Sequence, residues 1–214
     1  MKRKESYLSL LQPAKLKMIL SFGIKGYLHD IGWFNSFRSR MPVDQNNDPI
    51  PWVTYSFIDF IKTRIQNTHT IFEFGSGNST FFYAKHAHKV VSVEHDKAWF
   101  DKIVKQKPGN SEMIFCKLAD GGDYCRVPQT RQEKFHIIIV DGRDRVNCCK
   151  QCLPALTDDG VVVLDDSERP QYMNGIKFLE QNGFKELRFT GISPGSFIYK
   201  ATSVFYKPNN CLGV

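Results

Sequence analysis

The sequence has no apolar run that approaches the roughly 20 residues of a membrane-spanning helix. It also has no internal repeat and no low-complexity tract, which argues against a solenoid or a fibrous chain. At 214 residues, with 42% hydrophobic and 24% charged residues, the composition predicts a soluble globular protein. A chain of this length can bury one substantial core.

The cysteines do not form a complete zinc-ligand set. Cys149 and Cys152 make one C-x-x-C, but there is no second one and no nearby histidine pair, and a structural zinc site needs a full tetrahedral set. Cys148 and Cys152 are one helical turn apart, so we expect both to face a core as small apolar groups. Free thiols are typical of a reducing compartment, and the N-terminus shows no signal-peptide cleavage pattern, so we expect a cytoplasmic protein.

The net charge of +7 is concentrated in residues 1–40, which hold eight basic and two acidic residues. Apolar clusters around Leu10 and Leu20 lie beside these lysines. Such a segment can lie on an anionic membrane as a peripheral helix, cover the body of the protein as a lid, or remain a solvated face. Residues 33–52 are expected to be irregular, and within them P-V-D-Q-N-N-D-P-I-P, residues 42–51, has a turn composition. We therefore divide the chain into a basic helical extension, residues 1–50, and a main domain, residues 51–214.

Residues 71–80, I-F-E-F-G-S-G-N-S-T, predict a strand, a glycine turn and the start of a helix. Gly75 and Gly77 allow a sharp turn and a close approach to a ligand. A strand that enters a helix through G-x-G is a nucleotide-binding geometry. Thr80 stands where a dinucleotide site has its third glycine. A second strand ends in Glu94, 19 residues after Gly75, where a carboxylate would bind the two ribose hydroxyls.

Acidic residues also stand at the carboxyl ends of the other predicted strands, a position where packing alone would favour apolar side chains. In an open α/β sheet, ligands bind outside these strand ends. The sequence therefore predicts a polar site along this edge of the sheet. The acidic residues concerned are Glu73, Glu94, Asp120, Asp141, Asp165 and Asp166.

Together these motifs resemble the class I S-adenosylmethionine (SAM)-dependent methyltransferases over roughly residues 54–206. The resemblance implies an α/β fold: a Rossmann-like, doubly wound, seven-stranded sheet, mostly parallel with an antiparallel last strand, and helices on both faces. The combination of D-G-R-D-R-V-N-C with L-D-D-S-E-R resembles a bacterial subgroup of the family. It implies no particular methyl acceptor.

The resemblance also implies roles for individual residues. Glu73 would lie near the methionine amine of SAM, Glu94 would hold the ribose, and Asp120 would accept a hydrogen bond from the adenine amino group. Trp52, Tyr55, Arg143 and Ser167 are the candidate acceptor-binding residues. The complete cofactor-binding set is expected to be Glu73, Gly75, Ser76, Gly77, Asn78, Ser79, Glu94, His95, Asp120, Gly121 and Asp141.

Methyl transfer to a hydroxyl requires a base or a metal ion to help remove the proton. Asp141 and Asp166 are the candidate bases. Asp141, Asp165 and Asp166 could alternatively supply oxygen ligands to Mg²⁺. Metal-dependent catechol-type O-methyltransferases carry Asp-Asn after the fifth strand, and here the pair is Asp166-Ser167. Serine is a weaker ligand, so both routes stay open.

We predict transfer to oxygen on a small-molecule or saccharide acceptor. A NAD-dependent oxidoreductase would need a glycine near Thr80. A nucleic-acid methyltransferase would carry N/D-P-P-Y/W after the fourth strand, where this chain has D-G-R-D, so the sequence argues against a nucleic-acid substrate. The alternative is a SAM-binding protein that uses its basic N-terminal segment to bind a membrane or a nucleic acid.

Overall fold

The computed structural model describes residues 12–214, so the N-terminal lysines and the cluster around Leu10 lie outside the described residues. Within that range the chain forms nine α-helices and seven strands. The helices are α1 (Pro13–Ser21), α2 (Tyr27–Asp30), α3 (Trp33–Ser39), α4 (Tyr55–Lys62), α5 (Asn78–His86), α6 (Lys97–Ile103), α7 (Asp123–Arg126), α8 (Arg145–Gln151) and α9 (Met173–Gln181). The strands are β1 (Thr70–Phe74), β2 (Lys89–Glu94), β3 (Ser111–Phe115), β4 (Phe135–Val140), β5 (Leu156–Asp165), β6 (Lys185–Gly191) and β7 (Lys200–Tyr206).

The strands form one sheet in the order β3-β2-β1-β4-β5-β7-β6. The first five strands are parallel, and β7 runs antiparallel to both β5 and β6. This confirms the predicted Rossmann-like sheet with an antiparallel last strand. The strand order reverses between β1 and β4, so the carboxyl ends of these two strands open side by side at the centre of the sheet.

Two apolar layers cover the faces of the sheet. Phe72 and Phe74 on β1 point into one layer, whereas Ile71, the residue before Phe72, points into the other. All of β4 except His136 is buried, as predicted for a central strand that is covered on both faces. Cys148, Cys149 and Cys152 lie buried in the first layer, which confirms that they pack as core residues.

The prediction that residues 33–52 are irregular is wrong for α3. Trp33, its first residue, is buried in the second layer, with its ring stacked on Phe37 and 4.1 Å from the ring of Phe197. The Trp33 indole also donates a hydrogen bond to the carbonyl of Ser196 (3.1 Å). These contacts bind α3 to the loop between β6 and β7. The division of the chain at residue 50 remains a prediction.

Helix α1 buries none of its nine residues. Four large apolar side chains, Leu16, Met18, Ile19 and Leu20, are exposed on it together with Lys17, and Lys15 is partly exposed. Across residues 12–214, no helix has the length and apolarity needed to cross a bilayer.

Candidate active site

The turn after β1 owes its shape to its glycines and to Thr80. Gly75 and Gly77 have φ values of 99° and 142°, a backbone region that other residues rarely adopt. The Gly77 N–H donates to the hydroxyl of Thr80 (3.1 Å), and this hydroxyl donates to Glu73 Oε2 (2.7 Å). Thr80 thus caps α5 and binds the carboxylate beneath the turn, which explains a polar residue in place of a third glycine.

Glu73 is a buried carboxyl group at the end of β1. Its Oε2 also accepts a hydrogen bond from the Ser92 hydroxyl (2.8 Å). Burial raises the pKa of Glu73 to about 7, although hydrogen bonds from Ser79, Thr80 and Ser92 favour the charged form. The group can therefore gain or lose its proton near neutral pH.

The carboxylate of Glu94 is held in one orientation at the end of β2. Its Oε2 accepts from the Ser76 hydroxyl (2.9 Å), and its Oε1 accepts from the backbone N–H groups of His95 and Asp96 (2.8 and 2.9 Å). Three donors on one side chain leave it little freedom to rotate. Glu94 therefore joins the glycine turn to the start of the loop after β2.

An inner cavity of about 330 Å³ lies above the ends of β1, β2 and β4. Gly142 forms part of its wall, and a Cβ there would overlap the Tyr124 hydroxyl and lie 3.0 Å from the Gly75 nitrogen. The loops after β1 and β4 thus pack backbone against backbone. Of the predicted site residues, Glu73, Gly75, Ser76, Ser79, Glu94, His95, Asp141 and Arg143 line this cavity.

An outer cavity of about 520 Å³ adjoins the inner one. Trp52, whose side chain is 48% exposed, forms part of its rim, and its indole donates to the Pro194 carbonyl (2.9 Å). Tyr199 forms another exposed part of the lining. The two cavities meet at the residues that line both: Ser76, Ser79, Asp141 and Arg145.

The floor of the outer cavity is a carboxylate–cation cluster, which we define as Asp141, Asp165, Asp166, Arg145 and Lys200. The Arg145 guanidinium donates to Asp141 Oδ1 and to Asp166 Oδ2, both at 3.0 Å. It also donates to the backbone carbonyls of Gly142, Asp141 and Asp165, so each of its N–H directions meets an oxygen. The Lys200 Nζ lies 2.7 Å from Asp165 Oδ2 and 2.9 Å from Asp166 Oδ1.

The three aspartates of the cluster differ in their proton affinity. Burial raises the pKa of Asp141 above its ordinary value, although Arg145 and Lys200 oppose the shift. Burial, together with the charge of Asp141, raises the pKa of Asp165 well above its ordinary value. For Asp166, burial is outweighed by Lys200 and Arg145, so its pKa lies below the ordinary value. Asp141 is therefore the better proton acceptor of the two candidate bases.

Some predicted site residues lie away from the two cavities. Tyr55 is buried and lines a separate cavity beside α4 and α5. Ser167 is buried within the sheet, where its hydroxyl lies 2.6 Å from that of Ser203. Asp120 is on an exposed loop and accepts from the Asn147 amide (3.1 Å), and the Gly121 N–H next to it donates to Asp144 (2.9 Å). Gly77 and Asn78 line the outer cavity but not the inner one.

The family and fold comparisons agree. Residues 72–167 match a family model described as a methyltransferase domain. The structure is similar to an O-methyltransferase from Bacillus cereus in complex with SAH, with a TM-score of 0.57 and 16% identity over 90% of this chain and 97% of that one. The chain carries a methyltransferase domain on the fold of the class I SAM-dependent methyltransferases.

Two further solved structures share the fold of this methyltransferase. A methyltransferase-like protein from Silicibacter pomeroyi has a TM-score of 0.53 and 21% identity, covering 75% of this chain and 90% of that one. An rRNA methylase from Streptococcus thermophilus has a TM-score of 0.53 and 14% identity, covering 73% of this chain and 99% of that one. No curated protein sequence matches the chain. The neighbours therefore leave the acceptor of this methyltransferase undetermined.

The inner cavity fits SAM by the chemistry of its walls. Its glycine turn brings backbone close to a ligand, and its two buried carboxylates, Glu73 and Glu94, lie at different strand ends. The methionine amine of SAM is a cation and its ribose presents two hydroxyl donors, so a carboxylate acceptor is available for the amine and another for the ribose.

The carboxylates of the cluster do not fit Mg²⁺. Each of them is already engaged by the guanidinium of Arg145 or the ammonium of Lys200, and these two cations lie within the space that a metal ion would need. Across residues 12–214, no group of three or more His, Cys, Asp or Glu side chains is arranged to hold a metal ion. Neither cation was part of the predicted site. Arg145 follows Asp141 by four residues, but Asp141 lies in the loop before α8, so no helical spacing in the sequence indicates that they pair.

Proposed function

We propose that this methyltransferase transfers the methyl group of SAM to a hydroxyl oxygen of a small acceptor bound in the outer cavity. The observation that supports this most is the position of Asp141, which lines both cavities where they meet. A carboxylate at this junction can accept the proton of an acceptor hydroxyl as the oxygen forms its new bond. The side chain is 22% exposed, so an acceptor can reach it.

The size and lining of the outer cavity favour a small acceptor with a flat or ring-shaped part. Its volume of about 520 Å³ lies within the usual range for small-molecule sites. The exposed rings of Trp52 and Tyr199 offer apolar faces, and Ser193 and Ser196 offer hydroxyls. A saccharide or an aromatic alcohol would complement both features.

In this proposal, different residues of the inner cavity bind different parts of SAM. Glu73 faces the methionine amine, the turn from Gly75 to Ser79 packs on the ligand, and Glu94 with His95 holds the ribose. SAM supplies an electrophilic methyl group on a sulfonium, and the chain holds the acceptor oxygen in line with it, which can contribute ~7–11 kcal/mol through proximity. The assignment of adenine to Asp120 and Gly121 has weaker support, because Asp120 borders neither cavity.

The SAM site is tested by Glu94→Ala. We expect SAM affinity to fall about tenfold or more, because the hydrogen bonds from the ribose to a charged group are lost and even one of them is worth ~1.5–3 kcal/mol. Titration calorimetry with SAM measures the change, and Glu180→Ala, which removes an exposed acid on α9, is the matched control. Equal affinity for both variants and the original protein would place SAM elsewhere.

A second candidate function is suggested by α1: peripheral binding to an anionic membrane. Apolar and cationic side chains lie side by side on this helix, and none of its residues is buried. Among the described part of the N-terminal segment, residues 12–40, no side chain lines the outer cavity, so these residues do not form the lid considered from the sequence. Such a helix can lie in a lipid interface.

The membrane hypothesis predicts that the protein sediments with phosphatidylserine-containing vesicles but not with pure phosphatidylcholine vesicles. Lys15→Glu/Lys17→Glu should abolish the sedimentation, since each basic residue contributes about 1 kcal/mol near an anionic surface. Leu20→Glu should do the same, whereas Leu118→Glu, an exposed leucine outside the segment, should not. If the protein instead binds RNA through the same lysines and ignores vesicles, the nucleic-acid alternative replaces this one.

A further inference from the structure

The ammonium group of Lys200 occupies an unusual position in the carboxylate–cation cluster. It approaches one carboxylate oxygen of Asp165 and one of Asp166, two consecutive residues at the end of β5. Consecutive residues of a strand normally point to opposite faces. Asp166 has a φ of 56°, which breaks this alternation and allows both carboxylates to face one cation.

A third oxygen completes the surroundings of the ammonium. Lys200 donates a hydrogen bond to the backbone carbonyl of Trp52 at 2.9 Å. The side chain is only 15% exposed, and the nearby aspartates keep its pKa above the ordinary lysine value although burial alone lowers it. Lys200 is therefore a charged group enclosed by three oxygens, each at a distance suited to an ammonium and longer than the 2.0–2.1 Å of a Mg²⁺ ligand.

The charges of the cluster match this arrangement. Arg145 and Lys200, the two largely buried cations, together carry two positive charges among three carboxylates, as much as one Mg²⁺ would supply, and the half-exposed Arg169 contacts Asp166 from outside. Ser167, the residue that would follow as a further oxygen ligand, faces Ser203 inside the sheet instead of the cluster. The chain thus provides the cationic charge itself and lacks the remaining ligand that a metal would use.

We propose that Lys200 takes the place of a divalent cation in this site and acts as a positioning residue. It fixes Asp165, Asp166 and the backbone of Trp52 around the outer cavity, and Asp141 then remains available to the acceptor. The identity of the outer cavity as the acceptor site rests on the proposed function, whereas the replacement of a metal by Lys200 does not. The two ideas can therefore fail separately.

Removing the ammonium tests the proposal directly. Lys200→Ala leaves two buried carboxylates without their closest cation and opens the space that the lysine filled, and an uncompensated buried charge is strongly unfavourable. We expect this variant to bind one equivalent of Mn²⁺, detected by the loss of the free-ion electron paramagnetic resonance signal. Mg²⁺ should also raise its midpoint of thermal unfolding. The original protein and Lys200→Arg should show neither effect.

Matched variants separate this result from nonspecific binding. Lys207→Ala removes an exposed lysine near the same strand and should bind no Mn²⁺. Adding Asp166→Asn to Lys200→Ala should abolish the acquired binding. If Lys200→Ala does not fold in the presence of a chelator, Mg²⁺ should restore its folding. Stoichiometric Mn²⁺ binding by the original protein, or the absence of any metal effect on Lys200→Ala, would overturn the proposal.

An activity measurement adds a second, independent readout once an acceptor is known. A chelator should leave turnover by the original protein unchanged, and Mg²⁺ should partly restore kcat of Lys200→Ala but not that of Asp141→Asn. Failure of O-methyl transfer with every hydroxyl acceptor would contradict the proposed function and leave the Mn²⁺ result standing. If Lys200 had only a structural role, Lys200→Ala would not acquire a Mn²⁺ site.

Discussion

Asp141→Asn is expected to lower kcat by about 10²- to 10⁴-fold, the usual contribution of a general base. Asparagine has nearly the same shape and can still accept from Arg145, so the fold and the junction of the cavities should survive. The asparagine side chain cannot take up the proton of the acceptor hydroxyl. Single-turnover measurements with labelled SAM give the rate, and calorimetry shows whether SAM affinity stays within about tenfold, the loss expected from one weakened charged contact.

Two further variants test whether the loss of kcat is specific to Asp141. Asp158→Asn removes an exposed acid near the start of β5, at the other end of the strand from Asp165, and should leave kcat unchanged. Asp166→Asn should cost less than Asp141→Asn, because Arg145, Arg169 and Lys200 hold the Asp166 carboxylate and make it a weak proton acceptor. If Asp166→Asn is the more damaging of the two, Asp166 is the base and Asp141 has another role.

The parts of the fold that the sequence predicts well are those fixed by local patterns. The apolar run of β4, the glycine turn and the acid that follows or ends each of β1, β2, β4 and β5 depend on short stretches of sequence, and the structure has each of them at the predicted place, whereas Asp120 lies five residues beyond the end of β3. Glu73, Glu94 and Asp141 end their strands at one edge of the sheet because parallel strands align their carboxyl ends. Local pattern and tertiary position agree for these residues.

The parts that the sequence does not predict depend on long-range pairing. Lys200 reaches Asp165 because β7 runs antiparallel to β5, with Asp165 opposite Thr202. Nothing in the residues around position 200 indicates this register. Trp33 is similar: its helix is stabilised by contacts with Phe197 and Ser196, more than 160 positions away in the chain. A composition-based prediction of irregular structure could not include those contacts.

Short-range steric rules correct one predicted boundary. The one-turn spacing of Cys148 and Cys152 predicts a helix that includes both, but α8 ends at Gln151 and β5 begins at Leu156. Pro154 lies between them and cannot donate the backbone hydrogen bond that continues a helix. The chain passes through a short 3₁₀ turn at residues 153–155 instead.

The second large effect is expected for a substitution of Glu73, because ionisation of this buried carboxyl group lowers the stability of the folded protein. The pKa of this buried group is about 7 in the folded protein, against an ordinary value of 4.5. Because the folded state binds the proton more tightly than the unfolded state, the contribution of this group to stability is full below about pH 4.5 and is lost as the pH rises to about 7. A shift of this size corresponds to about 3 kcal/mol.

Glu73→Gln should therefore be more stable than the original protein at pH 8 and similar to it at pH 4.5. A neutral amide can still accept hydrogen bonds from Thr80 and Ser92, and it has no buried charge to desolvate. Urea unfolding at both pH values measures the difference, which should change by about 3 kcal/mol between them. Glu180→Gln, on the exposed side of α9, should show no such change.

The same substitution should weaken SAM binding, which is why the two measurements belong together. If Glu73 faces the methionine amine, the amide loses a charged hydrogen bond worth ~1.5–3 kcal/mol, and SAM affinity should fall about tenfold or more at pH 8. A variant that is more stable but binds SAM less well shows that the chain keeps an unfavourable buried charge for its ligand. A stability difference that is the same at both pH values would mean that the hydroxyl donors already compensate the carboxylate.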